Sequence, residues 1–296
     1  DEFHQLWSRL KPDLTELDLE SLMNLKVTTV SKHEEKLLRT PAAAFVITQE
    51  DIRRSGARSI PDALRMVPGM QVARINSSEY GVSSRWFNHR FSNKLLVLVD
   101  GRTVYSPLVG GTFWETQNIP LEDIERIEVI RGPGGTVWGA NAVNGVINII
   151  TKKARDTQGG LLTLGGGTEE RAFGGLRYGG KLGDAAYYRL YASGLSRDGQ
   201  VDGGNHATSD DWRAGRAGLR LDWSPTETDS FSFQADHYDT RVDHDLTMPT
   251  LAPPFATTSR VRPHYEGCDL VFRWDRRLSE DSSLTLQAYL DRAKFH

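Results

Sequence analysis

One cysteine, Cys268, is all that 296 residues supply. No internal disulfide can form, and cysteine usage gives no reading of the redox compartment. Long hydrophobic runs are also missing. The longest apolar stretches, such as 95–99 and 146–150, fall far short of the ~20 residues a membrane helix needs. A helical membrane protein is excluded, whereas a membrane β-barrel, whose strands alternate and keep mean hydropathy low, is not. Neither sign of charge dominates, with 36 Lys and Arg against 39 Asp and Glu. Without a basic run, the sequence makes no case for a nucleic-acid partner. No Gly-x-Ser-x-Gly elbow, His-Glu-x-x-His or Cys-x-x-Cys occurs, so catalysis has no candidate constellation, and neither an enzyme nor a bound cofactor is expected. The chain starts at Asp1 without an apolar leader and reads as processed or trimmed.

What is present is glycine placed between strands. In residues 124–151, IERIEVIRGPGGTVWGANAVNGVINIIT, two β-branched runs flank Gly132, Gly134, Gly135, Gly139 and Gly145. Such a loop permits positive φ and close backbone approach. A phosphate loop is the first reading to test, and it fails: the third glycine of a Gly-x-Gly-x-x-Gly would fall on Val137, and no Gly-Lys-Ser/Thr follows.

The stretch ERIEVIRGPGGTVWGANAVNGVINIIT resembles the signature that ends the plug domain of TonB-dependent outer-membrane receptors. PAAAFVITQEDIRRSGARSIPDALRMVPGMQVARI (41–75) and NKLLVLVDGRTVYSP (93–107) precede it in the order that family shows. The resemblance implies an outer-membrane receptor of Gram-negative type that takes up a scarce solute, most simply a ferric siderophore or similar metal chelate, with energy passed on by TonB. Cobalamin, haem, an oligosaccharide or a mainly signalling role stay open. It also implies an α+β plug, a small mixed sheet with short helices, followed by antiparallel transmembrane β-barrel strands. The expected division is an N-terminal arm over 1–35, a plug over 36–153 and barrel strands over 158–296. Arg131, Gly132, Pro133, Gly139, Asn141, Gly145 and Asn148 are the structural residues of the plug signature.

Within the arm, residues 13–23 have leucines spaced for a short helical face. Leu25, Lys26, Val27, Thr28, Thr29 and Val30 then form a short β-prone segment where the family carries its TonB box. An extended strand there can add to the sheet edge of a periplasmic partner. The alternative is a first strand of the plug sheet. Further on, Thr48 caps a helix that stops at Gly56, and Ser59 with Pro61 opens a second that stops at Pro68-Gly69. The continuous run 95–99 reads as a strand covered on both faces, and Asp100-Gly101 as a tight hairpin turn. Four to six short strands are expected in this unit.

Three loops are left over, at 74–80, 88–93 and 105–114. By resemblance they are the plug apices that meet ligand, and they carry Arg74, Glu79, Tyr80, His89, Arg90, Tyr105, Phe113 and Trp114. Arginine with aromatics suits an anionic, aromatic-bearing chelate. Solvated loops with aromatics packed on the barrel wall are the other reading. Where the family usually shows Arg-Gly-Phe-Asn, this chain has Arg85-Trp86-Phe87-Asn88, and tryptophan does not adopt positive φ cheaply.

After Lys153 the texture becomes strict alternation, as in Ala217, Leu219, Leu221 and Trp223 against Gly218, Arg220 and Asp222. Period two with one apolar face fits a strand between lipid and a watery lumen, and equally a soluble sandwich. Strands are expected near 159–165, 170–180, 185–196, 211–223, 230–241, 264–277 and 283–294. Their connections alternate short and long, as in outer-membrane barrels. Trp212, Trp223, Tyr238 and Trp274 near strand ends are positioned for interfacial girdles. Plugged transporters carry about 22 strands, so seven candidates read as part of a longer receptor. The His/Asp group at 236–245 matches no metal-loop spacing and reads as a solvated loop, and no metal site is expected.

Overall fold

A computed structural model describes residues 26–27, 29, 35–36, 42–85, 88–201, 203–206, 208–280 and 282–296. The leucine-spaced stretch 13–23, most of the TonB-box-like segment, Trp86 and Phe87 lie outside these residues. In chain order, β1 (Lys26–Val27) pairs antiparallel with β2 (Glu35–Lys36). Then come β3 (Ala44–Thr48), α1 (Gln49–Ser55) and α2 (Ile60–Leu64). Thr48 closes a capping box with Asp51, and Gly56 ends α1 at φ 70°. Ser59 caps α2, with Pro61 in its first turn, where the missing N–H has no helical partner to lose.

β4 (Met70–Arg74) and β5 (Tyr80–Ser84) form a separate ribbon. β6 (Leu95–Val99), β7 (Arg102–Thr103), β8 (Ile124–Arg131) and β9 (Gly145–Thr151), with α3 (Gly135–Trp138) between the last two, complete the unit. The five-stranded sheet runs β3-β8-β9-β6-β7, and only the β6–β9 contact is parallel. All five residues of β6 are buried, as a doubly covered strand requires. Ile47, Ile127, Ile147 and Ile149 of the sheet pack with Ile52 of α1 and Ile60 and Leu64 of α2 in the main core. The glycine turn is shaped by contact: a Cβ on Gly145 would sit 2.5 Å from the Ile130 carbonyl oxygen, so only glycine lets β9 approach β8 there.

A seven-stranded antiparallel sheet follows: β10 (Gly159–Gly165), β11 (Glu170–Leu182), β12 (Ala186–Arg197), β13 (Trp212–Trp223), β14 (Asp229–Val242), then, beyond the hairpin β15 (His244–Pro249) and β16 (Ala256–Val261), β17 (His264–Arg277) and β18 (Ser283–Phe295). Its order is β10-β11-β12-β13-β14-β17-β18, and it is not closed on itself. Each of the seven expected strands is found within about two residues of its expected ends. The sheet curves around the plug as a wall. Leu190, Leu219, Leu270 and Leu286 look outward and are exposed.

Two expectations about the wall need correction. Its inward charges do not face a watery lumen: Arg189, Arg216, Arg220 and Asp269 are buried against the plug. The proposed girdle also splits. Trp223 and Trp274 lie on the outer face, stacked with Phe231, whereas Trp212 and Tyr238 point inward and join Phe113, Val242 and Tyr265 in a buried cluster. Strand parity decides this, because Trp212 and Trp223 are an odd number of residues apart and so occupy opposite faces.

Candidate functional site: the plug apex and its seat in the wall

The three leftover loops converge at the end of the wall that carries its long connections. Near 74–80, Ser77 N donates to Asp210 Oδ2 (2.7 Å), Arg197 Nη1 donates to the Ser77 carbonyl (2.8 Å), and Arg74 pairs with Glu169. Asp210 belongs to the long β12–β13 connection and Glu169 to the four-residue β10–β11 turn, so both connections are tied to the plug's β4–β5 turn. Within that turn the Asn76 side chain accepts from the backbone N–H groups of Ser78 (3.0 Å) and Glu79 (2.8 Å). This is the local chemistry that favours asparagine in turns.

Arg90 of the second loop reaches Glu79 of the first and Glu115 just beyond the third, its Nη2 lying 2.7 and 2.9 Å from them. Burial pushes the Glu115 carboxyl above its ordinary range, against the opposing pull of Arg90. His244, at the foot of the β15–β16 hairpin, stands 3.7 Å from Glu79. One buried carboxylate therefore faces both the plug arginine and the outer hairpin.

The eight apex candidates divide by exposure. His89 is exposed, and Arg74, Arg90 and Tyr105 are half-buried. Glu79, Tyr80, Phe113 and Trp114 are buried. Tyr80 opens β5 and does not belong to a loop; its hydroxyl stands 3.4 Å from Arg197 Nη1. Phe113 packs on the wall against Tyr265 and Phe295, with centroids 5.4 and 5.1 Å away, and Trp114 belongs to the main core. The first four have side-chain surface open to solvent, and the other four are covered by packing.

On the opposite side of the plug, the described part of the TonB-box-like segment is docked. Val27 and Thr29 are buried. Thr29 N donates to Glu128 Oε2 (2.8 Å), the Trp138 indole N–H donates to the Thr29 carbonyl (2.5 Å), and Asn148 Nδ2 donates to Thr29 Oγ1 (3.2 Å). Leu25, Thr28 and Val30 lie outside the described residues, and Lys26 is described by its backbone alone. Of the signature residues, Asn148 thus reaches the segment, and Arg131 Nη1 donates to the Pro68 carbonyl (2.6 Å). Gly132, Gly139 and Asn141 adopt positive φ, Gly145 is the close approach to β8, and Pro133 is exposed within the turn. Arg85 also takes positive φ, at 57°, one residue before the Trp86 substitution.

The residues that fasten plug to wall escaped the sequence reading. Arg102 of β7 bonds Asp269 (2.9 Å) and Asp291 (2.5 Å). Arg216 Nη1 donates to the Thr116 carbonyl (3.3 Å), Arg220 Nη1 to Thr151 Oγ1 (3.0 Å) and Arg189 Nη1 to the Lys152 carbonyl (2.9 Å). Asp123 receives Arg177 at 2.5 Å. The available signal was arginine recurring on the inward parity of consecutive strands. The His/Asp group is dispersed by the same parity: Asp236 faces inward to Arg216, Asp239 outward to His264, and His244 toward Glu79. Among the described residues no group of metal-ligating side chains is assembled.

Residues 36–146 match the family described as TonB-dependent Receptor Plug Domain. The chain carries the plug domain of the TonB-dependent receptors. Its relatives include the Vitamin B12 transporter BtuB of Vibrio vulnificus, 37% identical over 145 residues that make up 48% of this chain and 23% of that protein. The Ferric enterobactin receptor PirA of Pseudomonas aeruginosa is 30% identical over 251 residues, 75% of this chain and 34% of that one. Among solved structures, the ferripyoverdine receptor of the outer membrane of Pseudomonas aeruginosa superposes with a TM-score of 0.70 at 17% identity, over 89% of this chain and 35% of that chain. The receptor chain therefore spans between 23% and 34% of the length of these two curated relatives. It is an outer-membrane protein of Gram-negative type.

Proposed function

We propose that this receptor captures a scarce solute at the plug apex and imports it with energy delivered through TonB, and that the solute is a ferric siderophore or similar metal chelate. The observation that carries the reading is the convergence of Arg74, His89, Arg90 and Tyr105 at the end of the wall bearing the long connections. Cationic and aromatic side chains there are suited to an anionic chelate by charge-assisted hydrogen bonds and stacking. Leu25 to Val30 is the proposed TonB contact, an edge-adding strand at the far side of the plug. The N-terminal arm (1–35), plug (36–153) and barrel portion (158–296) are the proposed functional units. Cobalamin is the second reading, favoured by the B12 transporters among the relatives. Growth of cells carrying the complete reading frame under iron limitation, with ferric siderophores supplied singly, tests the first. Rescue by one chelate fixes the class, whereas failure with all of them and rescue of cobalamin-dependent growth overturns it in favour of the second.

A further inference from the structure

The outer face of the wall carries basic side chains in direct cross-strand register near its long-loop rim. Arg213 of β13 is the register partner of Arg241 of β14, and Arg241 is the partner of His264 of β17. His264 exchanges both backbone hydrogen bonds with His296, at 3.1 and 3.0 Å. Both arginines point away from the plug: their neighbours Trp212, Ala214, Thr240 and Val242 are buried on the inner side, while Arg213 and Arg241 are exposed. On the next strand, Arg292 and Lys294 of β18 occupy the same outer parity, opposite Cys268 and Glu266.

Acidic partners do not balance this row. Asp239 lies 3.6 Å from Arg241 and 2.7 Å from His264, and Glu266 lies 4.0 Å from Lys294. No carboxylate among the described residues pairs with Arg213 or Arg292. Like charges directly opposite on adjacent strands, about 4.8 Å apart, destabilise a sheet, so the Arg213–Arg241 pair calls for an external anion.

Height on the wall identifies the source of that anion. β13 has 12 residues. At ~3.4 Å per residue and a tilt of about 40°, such a strand rises roughly 30 Å, enough to cross an apolar band about 25 Å tall. Trp223, in the stacked aromatic group, marks one boundary, which puts Arg213 at the headgroup level of the other. A guanidinium pair matches phosphate geometry. We propose that Arg213 and Arg241, flanked by Arg292 and Lys294, seat a phosphate-bearing lipid headgroup of the outer leaflet. The proposal rests on the membrane placement of the wall and is independent of which solute is imported.

The test uses the complete receptor in detergent and follows its thermal unfolding during titration with bis-phosphorylated lipid A, dephosphorylated lipid A or inorganic phosphate. The wild type is expected to be stabilised by the bis-phosphorylated lipid alone. R213Q/R241Q should need at least about ten-fold more lipid for the same shift. R171Q, which removes an exposed arginine outside the row, should respond as the wild type does, and R213K/R241K should keep part of the response, separating lost charge from misfolding. An undiminished response in R213Q/R241Q overturns the proposal. So does stabilisation by the dephosphorylated lipid or by inorganic phosphate equal to that by the bis-phosphorylated lipid. Growth rescue reads the receptor function separately.

Discussion

Arg102 on the plug hairpin and Asp269 on the wall lie 2.9 Å apart with both side chains almost closed to solvent. The pair joins two units far apart in sequence, and its second carboxylate, Asp291, comes from the next strand. Breaking a buried pair costs up to about 3–5 kcal/mol, and without Asp269 the buried Arg102 keeps only the more exposed Asp291 as its counter-charge. Asp269→Asn is expected to lower the thermal midpoint of the complete receptor and to loosen the plug. Asp291→Asn, at a half-exposed position, should cost far less. Comparable losses in the two variants would contradict the staple.

The outer and inner parities of the wall predict opposite tolerances. Leu221→Lys or Leu286→Lys places a charge in lipid, at about 2–4 kcal/mol near the midplane, and the fraction of receptor reaching a heat-modifiable folded form should fall. Thr285, on the inner parity near Asp275, should accept lysine. Arg220→Lys should not be neutral, because the guanidinium reaches both Thr151 and Asp222 at 3.0 Å and lysine cannot make the same fork. Equal folded fractions for Leu286→Lys and Thr285→Lys would contradict the lipid face.

Local patterns carried the strands and helix ends. Thr48 with Asp51, Ser59 with Pro61, and the Asp100-Gly101 turn specify their geometry within a few residues, and period-two alternation marked the wall. What stayed hidden depends on distant partners. Tyr80 reads as a polar loop residue until Arg197, more than a hundred positions away, is folded onto it. Phe113 and Trp114 leave two readings open, ligand contact or packing, until the wall strands and the plug core close around them. Alternation tells which residues face inward, but not that a plug there replaces water.

The apex cluster has a defined pH response. Arg90 stands between Glu79 and Glu115, and the raised Glu115 pKa means that the folded state holds its proton more tightly than the unfolded state. The sign follows: this group's contribution to stability is greatest below the ordinary carboxylate range and is lost as pH rises through the raised value. Glu115→Gln should therefore be tolerated or stabilising at about pH 7.5, with the difference shrinking toward about pH 4. Arg90→Gln, which strands two buried carboxylates, should be destabilising at the higher pH and recover on acidification. Thermal unfolding across that range checks both signs, and an Arg90→Gln deficit that grows on acidification would refute the assignment.

Thr29 is fastened by a charged acceptor, and the fastening sets how often the segment around it opens. Glu128 accepts from the Thr29 amide, and Arg126 Nε holds the same carboxylate at 2.8 Å. A hydrogen bond to a charged group contributes about 1.5–3 kcal/mol, so weakening it should raise local opening by at least about ten-fold. Val27, two residues away and buried, is the reporter. In a Cys268→Ser background, needed because Cys268 is itself exposed, Val27→Cys should react slowly with a water-soluble maleimide and faster once Glu128→Gln is added. Thr48→Ala serves as the control: it removes the cap of α1 and leaves Glu128 untouched. Faster labelling in Glu128→Gln but not in Thr48→Ala would place the control of the segment in the Glu128 contact. Equal acceleration in both would mean that the reporter reads general loosening of the plug, and the Thr29 anchor would lose its special role.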